Sequence, residues 1–120
     1  MTDYVYFLRA DHPDSPIKIG CSWMPEERLK AIMIWSPYPL SIILTIAGDV
    51  KLERNIHNCF ADCHSHGEWF HPHPRLMAAI EALQSGVPVH EAIDLSDIRG
   101  NVLGLTQRQT IERAKRQVAA

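Results

Sequence analysis

The first half of the chain contains three runs of apolar and β-branched residues. Residues 4–10 (YVYFLRA) are aromatic and β-branched, and residues 16–20 (PIKIG) alternate apolar and polar positions, so both are typical of strands. The turn-forming segment DHPDS separates them, and together they predict a hairpin with a rather long loop. A third run, SIILTIA at 41–47, is apolar and rich in isoleucine, which predicts a strand buried on both faces.

Apolar positions at intervals of three and four predict three helices. The first begins at Pro25 and ends at the segment SPYP, and its inward face is predicted at Leu29, Ile32 and Met33. The second follows Asp49, a suitable N-cap, and its inward face is predicted at Leu52, Ile56, Cys59, Phe60 and Cys63. After a loop, HSHGEWFHPHP, the third covers about residues 75–84 and ends near Gly86, and its inward face is predicted at Leu76, Ala79, Ile80 and Leu83.

The resulting order of elements, ββαβαα, predicts an α+β fold with a small three-stranded antiparallel sheet flanked by helices. Residues 87–105 carry scattered glycine and proline with little periodicity. Thr106 and Gln109 have the spacing of a capping box, which predicts a helix to the end of the chain. We therefore expect a domain over residues 1–85 and a C-terminal extension over residues 86–120 that ends in a basic helix.

The length and composition fit one globular domain with a short appendage. The chain has 120 residues, of which 46% are hydrophobic and 22% are charged. Its longest apolar stretch, Leu40–Ala47, is far shorter than the roughly 20 residues that a membrane-spanning helix needs. The first residues lack the features of a secretory signal, so we expect a cytoplasmic protein with no membrane partner, whose three cysteines are thiols.

Four polar residues occupy positions where a site could form. Arg28 precedes an inward-facing leucine on the first helix, where its guanidinium could bind a phosphate or pair with a nearby acid. Glu53 and His57 share one face of the second helix, so they could hold a divalent cation and move a proton, or form a surface pair. Glu68 lies between a turn glycine and two aromatic residues expected in the core, which makes it a candidate site residue.

Five short sequence boxes follow one another in the order of the predicted elements. They are YVYFL, KIG, an arginine eight residues after that glycine, LERNIHNCF and GEWF. As a set, over residues 4 to about 83, they resemble the GIY-YIG nuclease superfamily. The resemblance is greatest to its branch of small phage and bacterial proteins that carry KIG in place of YIG and a GEWF box. The ββαβαα order matches the fold that this family would require.

The resemblance implies a divalent-metal-dependent DNA endonuclease, a hydrolase that nicks a phosphodiester backbone. In that family a glutamate after the third strand holds the cation, an arginine of the first helix binds the scissile phosphate, and tyrosines surround the attacking water. Matched residue by residue, these roles fall to Glu53, Arg28 and Tyr6, and the cation would be Mg²⁺ or Mn²⁺. We expect His57 and Lys18 in the same catalytic site, with Glu68 as a further site residue.

The KIG box departs from the family pattern because Lys18 replaces a tyrosine that often helps to deprotonate water. The lysine could lower the pKa of the Tyr6 phenol and let it act as the base, or it could contact phosphate. In addition, Tyr4 stands where the name of the first motif has glycine, which we expect to affect only local packing. A catalytically inactive DNA-binding module of the same fold is therefore an alternative function.

Charge is distributed unevenly along the chain, although the net charge is only −2. Residues 1–104 hold 8 Lys and Arg against 13 Asp and Glu, whereas residues 105–120 hold 4 against 1. The basic residues of this tail are candidates for DNA binding: Arg108, Arg113, Lys115 and Arg116. The alternative is a helix packed on the domain through Ile111 and Val118, with its charges in solvent.

A cluster of histidines and cysteines permits a third interpretation. Ligand types that zinc favours occur at Cys59, Cys63, His64, His66, His71 and His73. No CxxC spacing occurs and Cys59 lies on the predicted apolar face, so a zinc-stabilised interaction protein is the less favoured alternative. The sequence leaves open the oligomeric state, the DNA preference and the choice between single- and double-strand cutting.

Overall fold

The computed structural model describes residues 2–102, which form a five-stranded antiparallel sheet with helices packed on it. The strands are β1 (Tyr4–Ala10), β2 (Ile17–Ser22), β3 (Leu40–Ala47), β4 (His64–His66) and β5 (Trp69–Phe70), in the spatial order β3-β1-β2-β5-β4. The helices are α1 (Pro25–Met33), α2 (Val50–Cys59), α3 (Pro74–Gln84) and the short α4 (Val89–Ala92), with a 3-10 turn at Ala61–Cys63. The α+β class is confirmed, whereas the prediction of three strands is wrong.

The two additional strands come from the segment between α2 and α3, which the sequence predicted to be a loop. Gly67 has φ +52, a conformation that glycine adopts at little cost, and there the chain reverses between β4 and β5. β5 then continues the sheet from β2, with Ile17 opposite Phe70 and Lys18 opposite Trp69. Strands of two or three residues carry almost no alternating pattern, so the sequence did not reveal this hairpin.

Alternate residues of β1, which lies between β3 and β2, contribute to two apolar clusters, one on each face of the sheet. The larger cluster joins Val5 and Phe7 to β2, α2 and α3 and contains the fully buried Ile56 and Phe70. The smaller cluster contains Tyr6, Leu8, Ala10 and Leu40, with half-buried residues of α1 packed against them. Since α1 itself has no buried residue, it covers this second face only in part.

β3 lies at one edge of the sheet and pairs with β1. Leu40 is buried, but the remaining residues of the strand are half-buried or exposed. The prediction of a strand here is confirmed, while the prediction that it is buried on both faces is wrong. Its continuous apolar run reflects partial cover by α1 on one face and α3 on the other, because residues of both helices contact it.

Two residues predicted to mark helix ends lie where the sequence placed them, Asp49 before α2 and Gly86 after α3. Asp49 accepts hydrogen bonds from the backbone N–H groups of Lys51 and Leu52 at 3.0 and 3.2 Å, which fixes the start of α2. The third helix, α3, ends at Gln84, and Gly86 follows two residues later with φ +92. The start of α2 matters most here, because that helix carries Glu53.

Core packing continues past residue 85, where the sequence placed the domain boundary. Ile93 and Val102 are 4% and 6% exposed and belong to the larger cluster. Asn58 at the end of α2 holds this segment, because its backbone carbonyl accepts the N–H of Arg99 and its Oδ1 accepts the N–H of Val102, at 2.8 and 3.0 Å.

The predicted basic helix, with its four candidate DNA-binding residues, lies outside the described residues. Within residues 2–102, none of the helices combines the length and apolar character that crossing a membrane requires.

Candidate functional site

The structure gathers the predicted site residues around the middle of β2. They come from five different parts of the fold: β1, β2, α1, α2 and the turn that precedes β5. These residues are Tyr6, Lys18, Arg28, Glu53, His57 and Glu68. Residues far apart in the sequence are thus brought to one place by the antiparallel pairing of the sheet and by α2 crossing it.

Glu53 and Glu68 form the centre of the site. Their carboxylate oxygens and a ring nitrogen of His57 all lie within 4.8 Å of one another, an arrangement that could hold a metal ion. Glu53 is only 8% exposed. Burial, followed by the negative charge of Glu68, raises the pKa of Glu53 to about 7, against the opposing charge of Lys18. The two carboxylates therefore carry more negative charge than their surroundings compensate.

Lys18 contacts this pair directly. Its Nζ lies 3.2 Å from Oε1 of Glu68, and the residue is 8% exposed. The same ammonium lies 5.9 Å from the centre of the Trp69 ring. A partly buried ion pair of this kind is well placed to hold Glu68 towards the site, although Glu53 receives less compensation.

The glycine of the KIG box has a steric role that the sequence did not reveal. Tyr6 is 1% exposed and lies opposite Gly20 in the β1–β2 pair. A Cβ atom at Gly20 would lie 2.3 Å from the Tyr6 hydroxyl oxygen and 2.4 Å from Cζ of its ring. The tyrosine therefore extends across β2 only because position 20 has no side chain, and the KIG glycine positions the phenol in the site.

The environment of the Tyr6 phenol differs from the one expected. Burial raises the pKa of Tyr6, and the nearby guanidinium of Arg28 lowers it only in part. Of the two roles considered for Lys18, the one in which it lowers the pKa of this phenol receives no support, because Lys18 is not among the groups that shift this pKa. Arg28, rather than Lys18, is the positive group that acts on the phenol, and its exposed side chain on α1 can also meet an approaching phosphate.

His57 is buried in the wall of the site. Its Nε2 lies 2.7 Å from the carbonyl oxygen of Ile19, and because a carbonyl can only accept, Nε2 must donate. Its Nδ1 is buried, and no hydrogen-bond partner for it occurs in the described part of the chain. Burial lowers the pKa of His57, which keeps the ring neutral. This geometry favours a residue that ties α2 to β2 over one that exchanges protons with substrate.

The cysteines and histidines proposed as zinc ligands do not converge in residues 2–102, where the metal-ligating group found consists of Glu53, His57 and Glu68. Cys59 and Cys63 are buried in the larger apolar cluster. The Cys59 thiol lies 3.5 Å from the carbonyl oxygen of Asp94, a neutral hydrogen-bond acceptor. This part of the structure therefore fits the interpretation of the two cysteines as small core residues.

A comparison with protein-family models decides the family. The model of the T5orf172 domain matches residues 3–88, well over half of the chain. The chain belongs to the T5orf172 family. The matched range includes all six site residues. T5orf172 domains are phage-associated modules of nuclease-like or DNA-binding character, which indicates DNA as the partner. No curated protein and no solved structure matches the chain.

Proposed function

We propose that this T5orf172 domain is a metal-dependent DNA endonuclease of GIY-YIG type, which hydrolyses a phosphodiester bond and leaves a nick. The observation that carries the proposal is the pairing of the buried Glu53 with the half-buried Glu68, beside Tyr6 and Arg28. The order of the sequence boxes along the elements supports the GIY-YIG type, since each box contributes to the same site.

The donor set fits a hard divalent cation such as Mg²⁺ or Mn²⁺. Such ions prefer carboxylate oxygens, and Glu53 and Glu68 offer two of them from different elements. The incompletely compensated charge on Glu53 also favours a cation over a proton once the pH exceeds about 7. His57 contributes less to this set, because its Nε2 is engaged with Ile19. When bound, the cation would neutralise charge on the scissile phosphate and lower the pKa of water.

The remaining side chains have complementary tasks. Arg28 binds the phosphate through paired hydrogen bonds, which its planar guanidinium can make and an ammonium cannot. Tyr6, whose raised pKa keeps it protonated, donates a hydrogen bond that orients the attacking water or a phosphate oxygen. Lys18 holds Glu68 in place and adds positive charge beside the DNA backbone. His57 acts as a positioning residue that fixes α2, and therefore Glu53, against β2.

Incubation with supercoiled plasmid tests this function. In Mg²⁺ or Mn²⁺ we expect open circles to accumulate before linear DNA, because one site breaks one strand at a time, and we expect no product in EDTA. Glu53→Gln removes the charge of the buried carboxylate, and Glu81→Gln is the matched control because Glu81 is an exposed glutamate on α3. A wild-type rate in Glu53→Gln, or cleavage that persists in EDTA, would contradict the proposal.

Two observations favour a second candidate, a DNA-binding module without cleavage. Lys18 already places an ammonium 3.2 Å from Glu68, and the raised pKa of Tyr6 removes a phenolate base from the cation-free site. A protein of this kind would shift plasmid mobility in a gel but release no open circles in either metal. The same incubation, read both before and after protein removal, separates the two candidates.

A further inference from the structure

A groove beside the site has no role in the reaction described above. Its volume is about 460 Å³, within the range of roughly 300–1,000 Å³ that is common for small-ligand pockets. The buried Leu40 and half-buried Ile32 line it together with three aromatic side chains, Trp35, Tyr38 and Trp69. It lies on the face of the sheet that α1 covers only in part.

Two of the three aromatic side chains are exposed to an extent that core packing does not explain. Trp35 is 86% exposed and Tyr38 is 66% exposed. The segment that carries them is nevertheless held by hydrogen bonds, because the N–H of Trp35 donates to the carbonyl of Ile32 at 3.1 Å and the Ser36 hydroxyl donates to the carbonyl of Tyr38 at 2.6 Å. The fold thus presents aromatic rings on an ordered turn.

The groove is continuous with the candidate site through Trp69. This residue lines the groove, follows Glu68 directly in the chain and has its ring centre 5.9 Å from the Lys18 ammonium. Lys18 in turn contacts Glu68 at 3.2 Å. A ligand with an aromatic part in the groove would therefore have its neighbouring atoms close to the carboxylate pair.

The lining of the groove fits the flat, apolar part of a ligand and does not repel a neighbouring anionic group. No carboxylate occurs among the described residues that line it, although residues 1–104 contain 13 acidic residues. An aromatic surface without carboxylates matches a nucleobase, and because Lys18 is already paired with Glu68, the phosphate joined to that base would be held by the cation proposed at Glu53 and Glu68. Aromatic side chains bind successive bases of single strands by stacking, whereas paired bases in a duplex already stack on one another.

We propose that the groove lined by Trp35, Tyr38 and Trp69 binds an unpaired base of a single-stranded DNA segment next to the scissile phosphate. This inference rests on the proposed function, because it places that phosphate at the Glu53–Glu68 pair. It assigns a substrate class: single-stranded or locally unpaired DNA is preferred to continuous duplex.

Binding of a short fluorescent oligothymidylate, followed by anisotropy in EDTA, tests the groove without cleavage. Trp35→Ala and Tyr38→Ala change exposed side chains, so folding should be retained. Loss of a stacked base should weaken binding on the order of 5- to 150-fold. Ile34→Ala is the control because Ile34 is 78% exposed, lies beside Trp35 and does not line the groove. A strand of equal charge that lacks its bases should bind the wild type as weakly as the thymidylate binds Trp35→Ala.

These measurements test base binding in the groove separately from cleavage at the Glu53–Glu68 pair. Equal affinity of Trp35→Ala and wild type for the thymidylate, or equal affinity of the wild type for the strand without bases, would overturn the inference. So would a wild-type dimer that Trp35→Ala makes monomeric with unchanged DNA affinity, because the groove would then be a contact between two copies. Groove-dependent binding without plasmid cleavage would remove the nuclease proposal alone, whereas cleavage with groove-independent binding would remove this inference alone.

Discussion

Replacement of Glu53 by glutamine is expected to abolish cleavage and to stabilise the cation-free fold. The carboxyl group is only 8% exposed and lies near a second carboxylate, so its charge opposes folding when no cation is present. Glutamine has nearly the same size and remains compatible with α2. The change therefore removes a charge that the proposed function requires and that also destabilises the folded state.

The magnitude follows from the pKa of Glu53, which rises from an ordinary value of 4.5 to about 7. Between these values the folded protein retains a proton that the unfolded chain has lost, so stability falls as pH increases and becomes constant above pH 7. One pKa unit corresponds to about 1.4 kcal/mol, and the full effect is therefore about 3 kcal/mol. We expect Glu53→Gln to exceed wild type by up to about 3 kcal/mol at pH 8 and by little at pH 4.5.

Urea unfolding followed by tryptophan fluorescence, in EDTA and at both pH values, measures this difference. Glu81→Gln should follow the wild-type curve, since its side chain is exposed. Mg²⁺ or Mn²⁺ added at pH 8 should stabilise wild type by mass action and leave Glu53→Gln unchanged. Two results would refute the reasoning: a Glu53→Gln protein that is no more stable than wild type at pH 8, or one that the cation stabilises as much as wild type. Either would mean that Glu53 is not a buried carboxylate that destabilises the fold and binds the metal.

Four further changes test the neighbouring groups. Arg28→Lys should reduce nicking on the order of 100-fold while DNA affinity changes little, and comparison of single-turnover rates with binding curves checks this. Gly20→Ala should lower the free energy of unfolding by about 1–3 kcal/mol, measured in urea, because the new methyl group meets Tyr6. Lys18→Met should tighten Mn²⁺ binding in calorimetric titration, since a competing cation is removed. Truncation after Leu105 should flatten the salt dependence of DNA binding by about two to four units of slope if the basic tail contacts phosphates.

The elements of the fold that depend on local signals were predictable. Asp49 as a cap, proline in the first turn of α1 and the apolar face of α2 act within a few residues of their position, so the sequence contains their cause. The β4–β5 hairpin was not predictable, because it joins the sheet through the pairing of the two-residue strand β5 with the distant β2, and β4 pairs in turn with β5. The burial of β3 was also mispredicted, because a strand's place in the sheet depends on tertiary order.

The site followed a similar division. The spacing of the sequence boxes predicted which residues would meet, and the structure brings Glu53 and Glu68 together from α2 and the turn before β5. The sequence did not predict the pKa values of these groups, because they depend on burial, which raises the pKa of both Glu53 and Tyr6. Trp69 was expected in the core and is only half-buried, because its ring lines the open groove on the face of the sheet that α1 covers only in part.

The position of Lys18 connects these observations. A tyrosine at this place in β2 would leave Glu68 without its nearest cation, and two close carboxylates would then have only more distant positive charge to oppose them. The lysine stabilises Glu68 in the cation-free state, and the divalent cation of the proposed function, held by Glu53 and Glu68, would make that pairing unnecessary. The ammonium is then available to the DNA backbone, next to Trp69 and the groove. Lysine in the KIG box is therefore compatible with a metal-dependent site, provided that the ion pair with Glu68 is weaker than the bond of Glu68 to the cation.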